Sequence, residues 1–432
     1  MLITTSTDFI KIQDIQSLRG SSGTTMISFA SRKRIRLFLA AWAISPTWGF
    51  TIKGFPSIEL QRLQGENLGA LQGIPRRDML GGVLGGALLG GPSLSKAVVV
   101  TKTEPLADLA MVRIRLPREG AGREYVAVQL KIQGQGPFDF MVDSGLTTEL
   151  ITPHLQQSLG LTVGSNKIQG LAAGGSTVSN SLVELEGASL CCGNFAKDSE
   201  LPLPKLHAVV TDFPQEHIDP KHDPVEGMIG MELLSQFDVD FDFPKNRLRL
   251  WQPGTTDTTG LVEIPAVVIN ETGLIGIRLS IPGATQPILG FLDCGATFSC
   301  INWKAAEVLG LPSKSDPLYK KGLAVTAVGV DGRLLTLPMV NQVLTFAGEA
   351  ELDKNTGKPV GFASPPPQWK DWSPVQLAVG DLPAFSTLLG DGRTPYQGPA
   401  ALIGLDVLAQ RRVVLEAGRD RTRRRRVMVS PR

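Results

Sequence analysis

Apolar residues fall on alternate positions at Val126, Val128, Leu130 and Ile132, and again at Ile275, Ile277, Leu279 and Ile281. A period of two is that of a half-buried strand, so both stretches are expected to be β-strands. Each then turns at Gly and Pro and enters a second apolar run that ends in Asp-x-Gly: Phe138-Asp139-Phe140-Met141-Val142-Asp143-Ser144-Gly145 and Ile288-Leu289-Gly290-Phe291-Leu292-Asp293-Cys294-Gly295. The spacing of 150 residues between the two Asp also relates Pro137 to Pro287, Ile151 to Ile301, and Leu159-Gly160-Leu161 to Leu309-Gly310-Leu311. Agreement at several landmarks points to one structural unit used twice. Thr152 before Pro153, and Asn302 at the matching place, suit helix N-caps, and Gly160 and Gly310 fall where a glycine would stop a two-turn helix. The expected unit is strand, turn, strand ending in Asp-x-Gly, strand, short helix.

A later landmark repeats at a longer spacing of 174 residues: Gly227-Met228-Ile229-Gly230-Met231-Glu232-Leu233-Leu234 answers to Ala401-Leu402-Ile403-Gly404-Leu405-Asp406-Val407-Leu408. The 24 extra residues are placed in Ala347–Ser373, where Pro365-Pro366-Pro367 and polar neighbours mark a loop excursion. Each copy then closes with strands. In the first they are Phe237–Phe243 and Arg247–Trp251 around a turn at Pro244-Lys245-Asn246; in the second, Val413–Leu415, Ala417–Arg426 and Val427–Val429. The expected organisation is two mainly β lobes, 98–255 and 256–432, joined near Pro253–Gly260.

Composition narrows the class. A chain of 432 residues with 42% apolar and 19% charged residues, 47 Gly and 30 Pro has enough material for two cores and is neither disordered throughout nor a coiled coil. No apolar run is long enough to cross a bilayer as a helix, so no stable membrane span is expected. Residues 1–97 hold 11 Lys+Arg against 5 Asp+Glu, which leaves the rest of the chain acidic and argues against nucleic acid as a partner. The basic excess is localised. Arg32-Lys33-Arg34 and Arg36 precede apolar Leu37–Ile44, a signal-like pattern over 32–50, and Arg76-Arg77 precede Gly81–Gly91 and Ser95-Lys96-Ala97, a twin-arginine-like pattern over 76–97. Residues 1–97 are therefore expected to be a targeting presequence, with transit to a plastid and its thylakoid lumen as one destination and the secretory pathway as another. A disordered arm with two apolar patches fits the same residues.

An Asp at the end of an apolar strand, followed by a small polar residue and Gly, sets a carboxylate at a tight turn among backbone amides. Two such turns can bring two carboxylates face to face. Like charges that close cannot both ionise, so one proton is shared, and a water between the groups can be activated without metal or covalent intermediate. Both copies resemble the retropepsin-like aspartyl protease family: apolar-apolar-Asp-Ser/Thr-Gly-Ala-Thr, then Leu-Gly-Leu, a glycine-rich flap, and a closing Ile-Gly-x-Asp/Glu-x-Leu. Asp238-Val239-Asp240-Phe241-Asp242-Phe243-Pro244-Lys245-Asn246-Arg247 is also close to that family's terminal hairpin. The resemblance covers most of 125–251 and, more loosely, 273–429. It implies a mainly β, bilobal acid-protease fold: two β-barrel lobes, each with a short helix, and a substrate cleft between them. It further implies catalytic Asp143 and Asp293, active-site loops carrying Ser144, Gly145, Thr147, Cys294, Gly295 and Thr297, a polypeptide substrate, a monomer, and neither cofactor nor metal.

Three departures sharpen these expectations. The family's hydroxyl beside the catalytic Asp clamps the lobes together; Ser144 conforms, but the second copy has Cys294, whose thiol bonds weakly, so a lopsided clamp is expected. Leu146 stands where Ala is usual. The flap segments, with Ala173, Gly174 and Gly175 in one copy and Val328 and Gly329 in the other, contain none of the three tyrosines, Tyr125, Tyr319 and Tyr396, so backbone groups are expected to hold an extended substrate. Other features have plain readings. Glu216-His217-Ile218-Asp219-Pro220-Lys221-His222-Asp223 matches no standard zinc spacing. The basic run Arg419–Arg426 reads as a solvated hairpin tip, Cys191-Cys192 as core or exposed thiols, and Asn270-Glu271-Thr272 equally as a glycosylation acceptor or a turn. Two functions fit: an aspartic endopeptidase, and a protease-like module that binds peptides without cleaving them.

Overall fold

The computed structural model describes residues 2–4, 104–115, 124–164, 167–171, 177–212, 223–269, 273–281, 286–328, 334–357, 359–390, 394–417 and 425–432. These belong to one compact unit that takes in Met1–Ala43 and Thr103–Arg432; the other unit, Ile44–Lys102, lies outside the described residues, as do both basic segments of the expected presequence.

The molecule is mainly β with short helices. Strands Glu124–Ile132 and Gln135–Val142 pair antiparallel, as the alternation predicts, and Val126, Val128, Leu130 and Ile132 are all buried. From Glu124–Ile132 the first ten-stranded sheet continues through Gln135–Val142, Val225–Ile229, Glu149–Ile151, Leu206–Val210, Thr177–Leu185 and Lys167–Leu171. The second ten-stranded sheet repeats that order from Ile275–Ser280 through Ile288–Leu292, Ala400–Ile403, Cys300–Ile301, Val375–Val379, Leu334–Gln342 and Ala324–Val328. In each, the strand that leads into Asp-x-Gly has a parallel neighbour from the closing landmark: Val142 lies opposite Ile229, and Leu292 opposite Ile403. That parallel insertion explains why the landmark recurs so far along the chain.

The short helices form where their caps predict. Thr152 and Asn302 accept from the backbone N–H of Leu155 and Ala305, at 3.0 and 2.8 Å, and start helices Pro153–Ser158 and Trp303–Val308. Gly160 and Gly310 end them with φ of +60° and +67°, in the left-handed region where a side chain is costly.

A seven-stranded sheet draws on both halves of the chain. It runs Gly193–Phe195, Ala107–Ala110, Arg247–Trp251, Asp238–Asp242, Arg412–Leu415, Val427–Val429 and Val262–Ile264. Asp238–Asp242 meets Arg412–Leu415 antiparallel at the seam, and all five residues of that strand are buried, including three carboxylates. Each carboxylate has partners. Asp240 receives Arg412 at 2.8 and 2.9 Å and Arg249 at 3.2 Å. Asp238 accepts from Gly254 N, Ala417 N and the Thr256 hydroxyl at 2.7, 2.8 and 3.0 Å, and Asp242 accepts from Arg249 at 3.2 Å. The expected turn at Pro244-Lys245-Asn246 is a 3-10 turn over Phe243–Lys245, with Asn246 left-handed at φ 56°.

Two expectations are corrected. Ala347–Ser373 is no featureless excursion: it holds a hairpin of Ala350–Leu352 and Pro359–Phe362, then Trp369 and Trp372 packed edge to face. Arg411, buried, lies 4.3 Å over Trp369 and donates to the carbonyls of Lys370, Asp371, Ser430 and Pro431, tying this segment to the C-terminal residues. Nor does strand run through Ala417–Arg426: Ala417, Arg425 and Arg426 are outside strands, and 418–424 lie outside the described residues. The segments 213–222 and 270–272 also lie outside the described residues.

The seam carries a prediction. Asp240→Ala leaves Arg412 without its carboxylate, and breaking such a buried pair costs about 3–5 kcal/mol, whereas Asp108→Ala, at the more exposed end of the same network, costs about 1 kcal/mol or less. Urea midpoints of the two variants check the order.

Candidate active site

Each Asp-x-Gly turn is held from its own sheet. Asp143 N donates to Ile229 O and Asp293 N to Ile403 O, both at 2.9 Å, so the inserted parallel strand fixes the start of the turn. Inside the turns, Gly145 N donates to Asp143 Oδ1 at 2.8 Å and Gly295 N to Asp293 Oδ1 at 3.0 Å, which orients each carboxyl group.

The two turns cross. A Cβ on Gly145 would stand 2.6 Å from Asp293 Cγ, and one on Gly295 would collide with the Asp143 carboxyl group. Both positions therefore admit only glycine, and each carboxylate packs on the opposite turn's glycine. Asp143 and Asp293 are both buried, each against the opposite turn. Burial first, and then the Asp143 charge, push Asp293 up to about 8.

Beneath the carboxylates, Ser144 and Cys294 interlock. Ser144 Oγ donates to Leu292 O and accepts from Cys294 N, both at 3.0 Å; in return Cys294 Sγ donates to Val142 O at 3.2 Å and accepts from Ser144 N at 3.3 Å. The expected lopsided clamp is thus two-sided, because the larger sulfur atom reaches both partners and each residue makes one donor and one acceptor contact. The asymmetry that remains is the weakness of sulfur as a donor and acceptor. Burial, and next the Asp143 charge, push the Cys294 thiol up to about 12, so it stays protonated and donates. Thr297 is buried and Thr147 half-buried in the loops that follow.

The closing landmark props these loops from below, a role its sequence does not announce. Met231 N donates to Leu146 O and Leu405 N to Ala296 O, both at 2.8 Å, and a Cβ on Gly230 or Gly404 would press on loop carbonyls at 2.7–2.9 Å. The acidic residue two places on ties down the end of each loop. Glu232 accepts from the Thr148 hydroxyl at 2.9 Å and pairs with His207 at 2.9 Å, while Asp406 accepts from Ser299 Oγ and N at 2.6 and 2.9 Å. Burial pushes Asp406 up to about 6, and burial with the neighbouring Glu232 charge holds Glu149 well above the usual carboxylate range. Sequence reasoning missed Glu232 and Asp406 as site residues; their shared place in the repeated landmark was the available signal.

The residues expected to form flaps are only partly described. Hairpins Lys167–Leu171 with Thr177–Leu185, and Ala324–Val328 with Leu334–Gln342, occupy matching places in the two sheets. Val328 ends its strand opposite Leu334, whereas Ala173, Gly174, Gly175 and Gly329 lie outside the described residues. No group of three or more potential metal ligands occurs among the described residues. No helix among them is long and apolar enough to cross a membrane.

Residues 128–233 match the family model described as aspartyl protease, and this part of the chain is similar to that family. Among solved structures the chain is similar to the basic 7S globulin of soybean, with 10% identity, TM-score 0.37, and coverage of 76% of this chain and 95% of that one. It is also similar to conglutin gamma, a basic 7S globulin of lupine seeds, with 9% identity, TM-score 0.36 and the same coverage. A retropepsin-like aspartic protease from Rickettsia conorii matches at 19% identity and TM-score 0.21, over 34% of this chain and 95% of that one. No curated protein matches.

The clamp is open to test. Cys294→Ala removes the partner of Val142 O and Ser144 N and is expected to cost about 1–3 kcal/mol, whereas Cys294→Ser, with a stronger donor and acceptor, is expected to gain about 0.5–1.5 kcal/mol. Thermal melts of both variants against the parent check the ranking, and a serine variant less stable than the alanine variant would contradict it.

Proposed function

We propose that the chain is an aspartic endopeptidase that hydrolyses peptide bonds in extended, apolar polypeptide segments, with Asp143 and Asp293 as the catalytic pair. In this reading the two ten-stranded sheets are the lobes of a bilobal acid-protease fold, and the two hairpins are its flaps. The observation that carries it is the crossing of the two Asp-x-Gly turns, which packs each buried carboxylate on the opposite glycine and puts the two groups where one proton between them is favoured.

The chemistry follows from where that proton sits. In this reading Asp293, which burial and the Asp143 charge favour in its neutral form, is the acid, and Asp143 is the base. Asp143 takes a proton from a water lying between the groups as the water attacks the scissile carbonyl, and Asp293 gives its proton to the carbonyl oxygen. On collapse of the tetrahedral intermediate the C–N bond breaks, Asp143 passes its proton to the leaving nitrogen, a hydroxyl of the intermediate returns one to Asp293 as the carboxylic acid product forms, and no bond forms between enzyme and substrate. A buried setting strengthens each of these interactions relative to water. The proposal includes delivery by residues 1–97 to a plastid lumen, or else into the secretory pathway.

Asp143→Asn and Asp293→Asn are each expected to abolish casein hydrolysis while leaving the circular dichroism spectrum unchanged, because neither carboxyl group completes the proton cycle alone. Parent turnover equal to that of either variant would leave the peptide-binding reading. In the parent, kcat/KM is expected to fall as pH rises through about 8, where Asp293 loses its proton.

Stability should follow the same direction. Asp293 and Asp406 bind protons more tightly folded than unfolded, so their contribution is fully present below the unfolded value of 3.8 and is lost as pH rises through about 6 for Asp406 and about 8 for Asp293. The urea midpoint is therefore expected to drop between about pH 4 and about pH 8, and to drop less in Asp406→Asn.

A further inference from the structure

The chain leaves the first ten-stranded sheet after Ala188–Leu190 and joins the seven-stranded sheet at Gly193–Phe195; the corner between them is Cys191-Cys192. Cys192 has a φ of 62°, in the left-handed region that a non-glycine residue rarely occupies. Gly193 follows because a Cβ there would run into Leu109 and the Asp108 carbonyl. This bend brings the two sulfur atoms to 3.3 Å, with the Cys192 thiol directed at Cys191 Sγ.

The two thiols differ sharply in surroundings. Cys191 is buried; its N–H donates to Gln129 O at 3.0 Å and its thiol reaches the same carbonyl at 3.5 Å. Cys192 is exposed, while the other two cysteines, Cys294 and Cys300, are both buried. The Lys131 ammonium, paired with Glu200, acts electrostatically on both sulfurs of the corner. Burial pushes Cys191 up to about 12, so it is a poor first nucleophile, whereas a second, intramolecular step needs no access from solvent.

We propose that Cys191 and Cys192 are a thiol pair that closes reversibly to a vicinal disulfide by exchange with a disulfide oxidant such as oxidised glutathione. The Cys192 thiolate attacks one sulfur of the oxidant, forming a mixed disulfide and releasing one glutathione thiolate. The Cys191 thiol then gives its proton to solvent and attacks Cys192 Sγ, and the second glutathione leaves as thiolate. The Cys191–Cys192 S–S bond forms and the oxidant's S–S bond breaks; two electrons pass from the protein thiols to the oxidant, the two thiol protons go to solvent, and the two glutathione thiolates take up protons from solvent. Ring closure removes the Cys191 thiol from Gln129 O and stiffens the corner where the two sheets meet.

The test uses the full folded chain with excess oxidised glutathione, acid quenching, and mass spectrometry of the peptide that contains the pair. The parent is expected to lose two hydrogens with no adduct and to regain them with dithiothreitol. Cys191→Ser is expected to stop at a glutathione adduct on Cys192, and Cys192→Ser to stay unmodified. A second readout avoids the buried substitution: phenylarsine oxide, which bridges neighbouring thiols, is expected to bind the reduced parent one to one and Cys192→Ser not at all. A parent that accumulates the glutathione adduct, or stays reduced throughout, overturns the proposal, as does arsenical binding that survives Cys192→Ser.

Discussion

Everything at the site rests on the interlock of Ser144 and Cys294 beneath the two carboxylates. Four hydrogen bonds of 3.0–3.3 Å join the strand ends at Val142 and Leu292 through two small side chains. With the turns locked, Gly145 and Gly295 can each receive the opposite carboxyl group, and the upward shift of Asp293 follows from the burial and proximity that result. The same interlock needs support from outside. The Ile-Gly landmarks hold the loops from below, and the seven-stranded sheet joins the two halves of the chain through Asp240, Arg249 and Arg412. Burying three carboxylates on one strand is expensive unless each is ion-paired or hydrogen-bonded, and here Asp240 and Asp242 are paired and Asp238 accepts three hydrogen bonds.

Much of this was legible in the residues. The alternating stretches, the Thr152 and Asn302 caps, the glycine stops and the register of Asp143 with Asp293 are all local patterns, and local patterns survive folding when the tertiary contacts agree with them. The Asp-x-Gly repeat also named the residues that the structure brings together. The distant landmark at Gly230 and Gly404 was visible as a repeat, but its purpose was not. It depends on a parallel strand inserted from far along the chain, and sequence spacing does not reveal which neighbour such a strand takes.

Two features were misread for the same kind of reason. Ala347–Ser373 looked like a loop because its prolines and polar residues dominate the local pattern, yet its order comes from Arg411, which finds Trp369, Trp372 and four backbone carbonyls only in the folded chain. Cys294 looked like a weakened hydroxyl because thiols are poor hydrogen-bonding groups. Its geometry compensates in part: burial keeps the thiol protonated, and the sulfur reaches both Val142 O and Ser144 N. Cys191-Cys192, which read as core or exposed thiols, are one of each, and the 3.3 Å approach of their sulfur atoms comes from a backbone conformation that composition does not reveal.

The central claim is that two buried carboxylates from distant parts of the chain share one proton, and carboxyl-carbon NMR of the protein with labelled aspartate tests it without requiring a substrate. The expected spectrum contains one aspartate that keeps its proton until about pH 8, is absent in Asp293→Asn, and titrates at lower pH in Asp143→Asn, where the opposing charge is gone. A spectrum in which every aspartate of the pair titrates in the ordinary carboxylate range, indifferent to substitution of its partner, would contradict the account.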